Sequence, residues 1–286
     1  MVGERRERRI RDARRRLRWE LVIVLGLAIA PSALHAVIAL AEALAGPVPL
    51  GGTTQALNPA TSAFPLFDVL NRLVAFAARL VPVALVVWLL WSARESGFAR
   101  LGLDLRRPGR DLAIGLGLAA AIGLPGLALY AGSRALGLAP QVVAGDAGMT
   151  WWTAGLLVLA ALRAALIEEV IVVGHLAIRL RALGWSWPGI VVASALVRGS
   201  YHLYQGVPMA LGNVVMGLVF AGFYVWWSRR PGPSRGAGAS AGSGASTGSG
   251  ASTRRRVMPL VVAHFALDLV AFLGYPLAAA WWPGLF

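Results

Sequence analysis

Residues 151–180 read WWTAGLLVLAALRAALIEEVIVVGHLAIRL. So long an apolar run exceeds what a soluble domain buries in one helix, and it covers the roughly 20 residues needed to cross the hydrocarbon layer. Yet its interior carries Arg163, Glu168, Glu169 and His175. A charge inside the bilayer costs about 2.5–3.5 kcal/mol on insertion scales, so each such group needs a partner or a task. The stretch sets the fold class, an all-α polytopic transmembrane helix bundle. It also marks where the chemistry should lie.

The rest of the chain repeats the pattern. Of 286 residues, 57% are hydrophobic and 14% charged, with a mean hydropathy of +0.66. Further apolar runs lie at 19–45, 66–93, 111–131, 187–204, 208–228 and 257–275, which makes about seven spans. Arginine distribution supports the division. Basic residues are dense in the arm 1–18, absent from 46–65, and return as Arg94, Arg100, Arg106, Arg107 and Arg110. Arg134 stands alone in the next connection. Arg179 and Arg181 follow, then a neutral corner near Gly206, then Arg229, Arg230, Arg235 and Arg254 to Arg256. Rich and poor loops alternate, which predicts a plasma-membrane protein with a cytoplasmic N-terminus and an external C-terminus. The first run is about 25 residues long without a small-residue cleavage site, so it reads as a retained helix rather than a signal peptide.

Residues 1–18 therefore form a basic cytoplasmic arm and 19–286 one membrane-embedded helical domain, with its core motifs at 150–275. The Gly/Ser/Ala tract at 231–253 cannot bury apolar surface and reads as a flexible linker. The net charge of +14 sits in short tracts beside spans. No aromatic-basic surface remains for nucleic acid. All 27 basic residues are arginine, and with the heavy Ala and Gly usage this suggests a GC-rich bacterial genome. There is no cysteine, which excludes disulfides, thiolate metal sites and cysteine nucleophiles.

Six ionisable residues stand within spans four, five and seven: Glu168 and Glu169, Arg198 and His202, His264 and Asp268. At about 1.5 Å of rise per residue, Glu168 lies about 18 Å from the cytoplasmic end of its span, His202 about 22 Å, His264 about 12 Å and Asp268 about 18 Å. Three helices thus bring polar groups to nearly one level. His264 and Asp268 are four apart and share a helix face, as are Arg198 and His202. Glu168 and Glu169 lie about 100° apart around a helix, so one of the two is expected to face the site.

The bland alternative for the acids is an ion pair with Arg163 or Arg198; for the histidines, it is hydrogen bonding to helix carbonyls. His175 reads as interfacial and Asn213 as a helix–helix hydrogen bond. Pro82 reads as a kink, Gly115 and Gly117 as close-packing positions, and the Trp residues at span ends as an interfacial belt.

The succession Glu168-Glu169-Val-Ile-Val-Val-Gly, Ser-Tyr-His202-Leu-Tyr and His264-Phe-Ala-Leu-Asp268 resembles the CAAX protease and bacteriocin-processing (CPBP, or Abi) family. Its pattern is EExxxR, FxxxH and HxxxN or HxxxD on separate spans. The resemblance implies an intramembrane endopeptidase acting on a peptide or membrane-protein substrate, notably behind a prenylated cysteine. It implies that Glu168 activates water with help from His202, and that His264 and Asp268 stabilise the oxyanion. It also implies that Glu168, His202, His264 and Asp268 could together hold a divalent metal ion such as zinc. Two positions depart from the pattern. Val173 stands where Arg is expected and Arg198 where Phe is expected. Arg198 is therefore expected to supply from span five the charge missing from span four, neutralising Glu169. A catalytically silent relative serving as a binding or immunity protein is the first alternative, and a proton- or metal-coupled transporter the second. Oligomeric state is not readable from the sequence.

Overall fold

The computed structural model describes residues 2–143, 145, 150–230 and 255–274. The linker 231–253 and the end of span seven with Trp281 and Trp282 lie outside the described residues. The chain is helical almost throughout: α1 Val2–Ala28, α2 Ala30–Ala45, α3 Pro65–Leu90, α4 Gly97–Leu101, α5 Pro108–Ala135 and α6 Trp151–Ile167. A π-helical segment, Glu168–His175, carries α6 into α7 Leu176–Ala182. Then follow α8 Trp187–Ser200, α9 Val207–Ser228, and α10 Met258–Leu269 with a second π turn, Val270–Gly274.

Among the described residues, three helices are long and apolar enough to cross a bilayer, namely α3, α5 and α9, and the bent pair α1–α2 makes a fourth. The expected seven spans are not all met as single apolar helices. Run four is divided where α6 widens at Glu168, α8 holds 14 residues, and α10 holds 12 before it too widens. Span one bends by 51° at Ile29. Pro31, which has no N–H to give and crowds the carbonyl four residues back, accounts for the break. Pro82, the expected kink, sits inside an unbroken α3. The basic arm is not separate either, because α1 runs through residue 18 without interruption.

The helices turn Leu, Val and Phe outward as well as inward. Leu27, Leu34, Phe67, Val74, Val81, Trp88, Leu116, Leu124 and Leu127 are all exposed, an arrangement suited to lipid rather than water. Of the expected aromatic belt, Trp151 and Trp226 are exposed at helix ends while Trp227 is buried.

All eight residues of the π segment are buried. Around it gather Val24 of α1, Val86 and Leu90 of α3, Leu101 of α4, Ile190 of α8, Phe220 of α9 and Leu260 of α10. The segment that bears the acids is the centre of the main core. α8 lies along α9, and α10 packs between α5 and α6. Sequence reading missed a small parallel pairing of Thr54–Ala56 with Gln141–Val143, which joins two connections about 87 residues apart.

The two glycines expected at close contacts separate. A Cβ at Gly115 would lie 2.5 Å from Val262 Cγ1 of α10, whereas one at Gly117 would meet nothing within 4 Å. Gly115→Val should therefore cost about 1–3 kcal/mol through overpacking. Gly117→Val should leave thermal unfolding in detergent almost unchanged. Equal melting temperatures for the two variants would refute this α5–α10 contact.

Candidate active site

The site grows out of the π segment. Residues 170–173 are Val-Ile-Val-Val, a β-branched run with little preference for regular α-helix. The Leu176 N–H reaches the Ile171 carbonyl, five residues back. Such widening is frequent at functional sites. It also turns adjacent residues toward a common side. Contrary to the expectation that one acid would face the site, both Glu168 and Glu169 do. Ser194 of α8 donates to the Val172 carbonyl at 2.8 Å and pins α8 to the segment.

Arg198 enters from α8, fully buried, and answers to both acids. Its Nη2 donates to Glu169 Oε1 in a short ion pair, and its Nη1 lies 3.3 Å from Glu168 Oε2. Its guanidinium also stands 5.2 Å from the Phe220 ring. The expected Arg198–Glu169 pairing is present. Val173, where the family pattern has Arg, is buried in the apolar core.

His264 comes from α10. Its Nδ1 is 2.9 Å from Glu169 Oε1 and 4.0 Å from Glu168 Oε2, and its Nε2 is 3.6 Å from Asp268 Oδ2. The four-residue spacing of His264 and Asp268 thus places them together, as expected. The spacing of Arg198 and His202 does not act that way. α8 ends at Ser200, and His202 sits in a turn before the 3₁₀ piece Leu203–Gln205, closed by Gly206 at φ 91°. From that corner His202 Nε2 stands 4.0 Å from Glu168 Oε1.

Exposure separates the roles. The side chains of Glu169 and Arg198 are 0% exposed, while Glu168 is 11%, His202 18% and Asp268 21% exposed. The latter three are therefore the less enclosed, and the ion pair lies behind them. Glu168 Oε2 and Glu169 Oε2 are buried without a hydrogen bond. Such orphaned oxygens are costly unless something else uses them.

Other sequence readings shift. Arg163 does not neutralise the acids; it is half-buried, with Arg79 and Asp268 as its charged neighbours. His175 is wholly buried rather than interfacial, its Nε2 3.0 Å from Glu20 Oε1. Arg179 donates to the same oxygen at 2.6 Å and to the Leu89 carbonyl at 2.9 Å. Sequence reasoning missed this clasp between α1, α3 and α7. The signal was present, because Glu20 is the acid at the cytoplasmic end of span one, level with His175 and Arg179. Asn213 bonds the Met209 carbonyl of its own helix rather than a neighbouring helix.

As a metal set, Glu168, Glu169 and His264 offer ligand atoms all within 4.8 Å of one another. Glu169 replaces His202 and Asp268 in that group. Carboxylate and imidazole donors with two orphaned oxygens fit a divalent ion, which would share both carboxylates with Arg198.

Residues 150–234 match the family model described as Type II CAAX prenyl endopeptidase Rce1-like. The match covers less than a third of the chain. It includes Glu168, Glu169, Arg198 and His202, and ends before His264. Neither the curated proteins nor the solved structures contain a match to the chain. This is the family that the paired acids and histidines resemble. The likeness is carried by this segment alone.

Removing one member of a buried ion pair costs about 3–5 kcal/mol. Arg198→Met should therefore sharply lower thermal stability in detergent. Adding Glu169→Gln should recover most of that loss, since the remaining Glu168 side chain is partly exposed. A double-mutant cycle with strictly additive losses would show that the pair does not hold the site together.

Proposed function

We propose that the chain is an intramembrane endopeptidase that hydrolyses a peptide bond with water activated by Glu168. The observation that carries this reading is the contrast between the two acids. Glu169 is sealed between Arg198 and His264, whereas the Glu168 side chain keeps 11% exposure and has an imidazole 4.0 Å away on each of two separate segments. A base must be reachable by water, and a partner must be near enough to share the proton.

In the proposed reaction, Glu168 takes a proton from water as the water oxygen bonds to the carbonyl carbon, and the carbonyl electron pair moves onto its oxygen. The oxyanion's electron pair then re-forms the carbonyl as the C–N bond breaks with its electrons going to nitrogen, which receives the proton from Glu168. His202 stands where it can share that proton and hold the water in line. His264, braced by Glu169 on one side and facing Asp268 on the other, is oriented to donate toward the developing oxyanion. Where a divalent ion binds, Glu168, Glu169 and His264 would hold it, and it would supply Lewis acidity there.

The replaced motif positions Val173 and Arg198 favour a second reading, a silent relative that binds a partner without cleaving it. The two readings separate on one assay. A quenched-fluorescence peptide bearing a farnesylated cysteine, and the same peptide without the lipid, are offered to protein in liposomes. Glu168→Gln should lose about 10²–10⁴-fold in kcat and His202→Ala should be similarly impaired, both with unchanged melting temperature. Activity retained in both variants would end the hydrolase reading.

A further inference from the structure

The proposed reaction needs donors for the oxyanion, and the residues the motifs supply give fewer than the chemistry asks. Asp268 stands where an Asn would donate, but a carboxylate only accepts. One nitrogen of His264 is taken by Glu169 at 2.9 Å. A neutral, rigid donor close to Glu168 is the missing part.

Tyr201 has the required features. It follows the last residue of α8, so it leaves the helix (φ −91°, ψ 6°) at the corner that also swings His202 toward Glu168. Its ring packs with Ile29, at the α1–α2 bend, and with Val172 of the π segment. It lies 4.8 Å, centroid to centroid, from the His202 ring. The residue is 7% exposed, and its hydroxyl is buried without a hydrogen bond of good geometry. That hydroxyl stands within electrostatic reach of Glu168, Arg198 and Glu169. A buried phenol ordinarily finds a partner. Here the ring is held in a buried apolar cluster and the hydroxyl lies beside the Glu168 carboxylate, within its hydrogen-bonding reach, which is the arrangement of a donor fixed in advance for charge that develops later.

We infer that Tyr201 is a catalytic residue whose hydroxyl donates a hydrogen bond to the carbonyl oxygen of the scissile peptide as it becomes an oxyanion. This rests on the hydrolase reading above. The phenol proton stays on Tyr201 throughout. Water's proton still travels by way of Glu168 to the leaving nitrogen, so the step balances without any further reactant. Tyr201 and His264 would then approach the oxyanion from separate segments, as paired donors do in other acyl-transfer sites. The corner at Ser200 would serve two ends at once, aiming the His202 imidazole at the base and the Tyr201 phenol at the substrate.

The test is Tyr201→Phe, which keeps the ring and removes only the hydroxyl. With the farnesylated and lipid-free peptides above, kcat should fall about 10²–10³-fold, the range for losing one oxyanion donor, while KM changes less than about threefold. Calorimetry with a peptidyl phosphonate, a tetrahedral mimic of the intermediate, should show affinity falling in parallel with kcat. Binding of the cleaved product peptide and the melting temperature should stay the same. The phosphonate measurement needs no turnover, so it reads the hydroxyl even in a slow enzyme. A merely structural tyrosine would lower stability or raise KM and leave phosphonate and product affinities in step. That result would overturn the assignment, as would a kcat within threefold of the parent. If Tyr201→Phe is fully active while Glu168→Gln is dead, the phenol's role fails and the hydrolase reading stands. If Glu168→Gln is also active, both fail together.

Discussion

One guanidinium holds this molecule's centre in place. Arg198 is fully buried, and burying a charge in an apolar medium is tolerable only when opposite charge meets it at close range. Glu169 and Glu168 supply that charge from the neighbouring helix. The pair therefore fixes how α8 sits against the π segment more firmly than apolar contacts could, since a slide of one residue would strand a charge. Close-packed side chains of α1, α3, α9 and α10 then close around that fixed arrangement. Apolar packing can be rearranged at modest cost; a stranded charge cannot be.

Two carboxylates meeting one arginine leave a surplus of negative charge, and the surplus is what makes the site chemical. Glu169 takes the stronger share, with His264 on its other side. Glu168 is held at longer range and, with His202 and Asp268, keeps partial exposure. The adjacency of the acids in sequence creates the asymmetry. In this widened turn two successive side chains reach one arginine, and they differ in how far they are enclosed. The carboxylate of the ion pair and the one proposed to activate water are thus neighbours that differ in depth.

Much of this was legible in the sequence, and the reasons why parts were not are physical. Membrane class and the long helices α3, α5 and α9 follow from apolar length alone. The convergence of 168–169, 198–202 and 264–268 follows from depth, because the bilayer fixes the height of every residue in a span. The Arg198–Glu169 pair follows from the same argument, since an unpaired cation has nowhere else to go. What depth cannot give is rotation. Both acids facing inward depends on a π turn stabilised by neighbours such as Ser194, and no local pattern of spacing announces it. The end of α8 at Ser200 was hidden for a like reason: Arg198 and His202 have helical spacing, but the glycine that closes the following turn, Gly206, lies four residues further on. The clasp of Glu20 with His175 and Arg179 joins residues about 155 apart, where periodicity carries no signal at all.

An arginine at 198 differs in more than address from one at 173, where the pattern that the chain resembles has it. A cation on the same segment as the acids would neutralise them locally, leaving α8 free to be positioned by packing alone. Placed on α8, the same charge becomes a tie between two chain segments. Val173 is thereby released into the core, where it sits among the apolar residues surrounding the segment. The cost is rigidity, because α8 can no longer move relative to the acids without separating opposite charges in an apolar medium. The corner that begins at Ser200 stands two residues past Arg198, so the immobility of that pair is passed directly to Tyr201 and His202. In this chain the charge that permits the acids to be buried also holds steady the groups that face them.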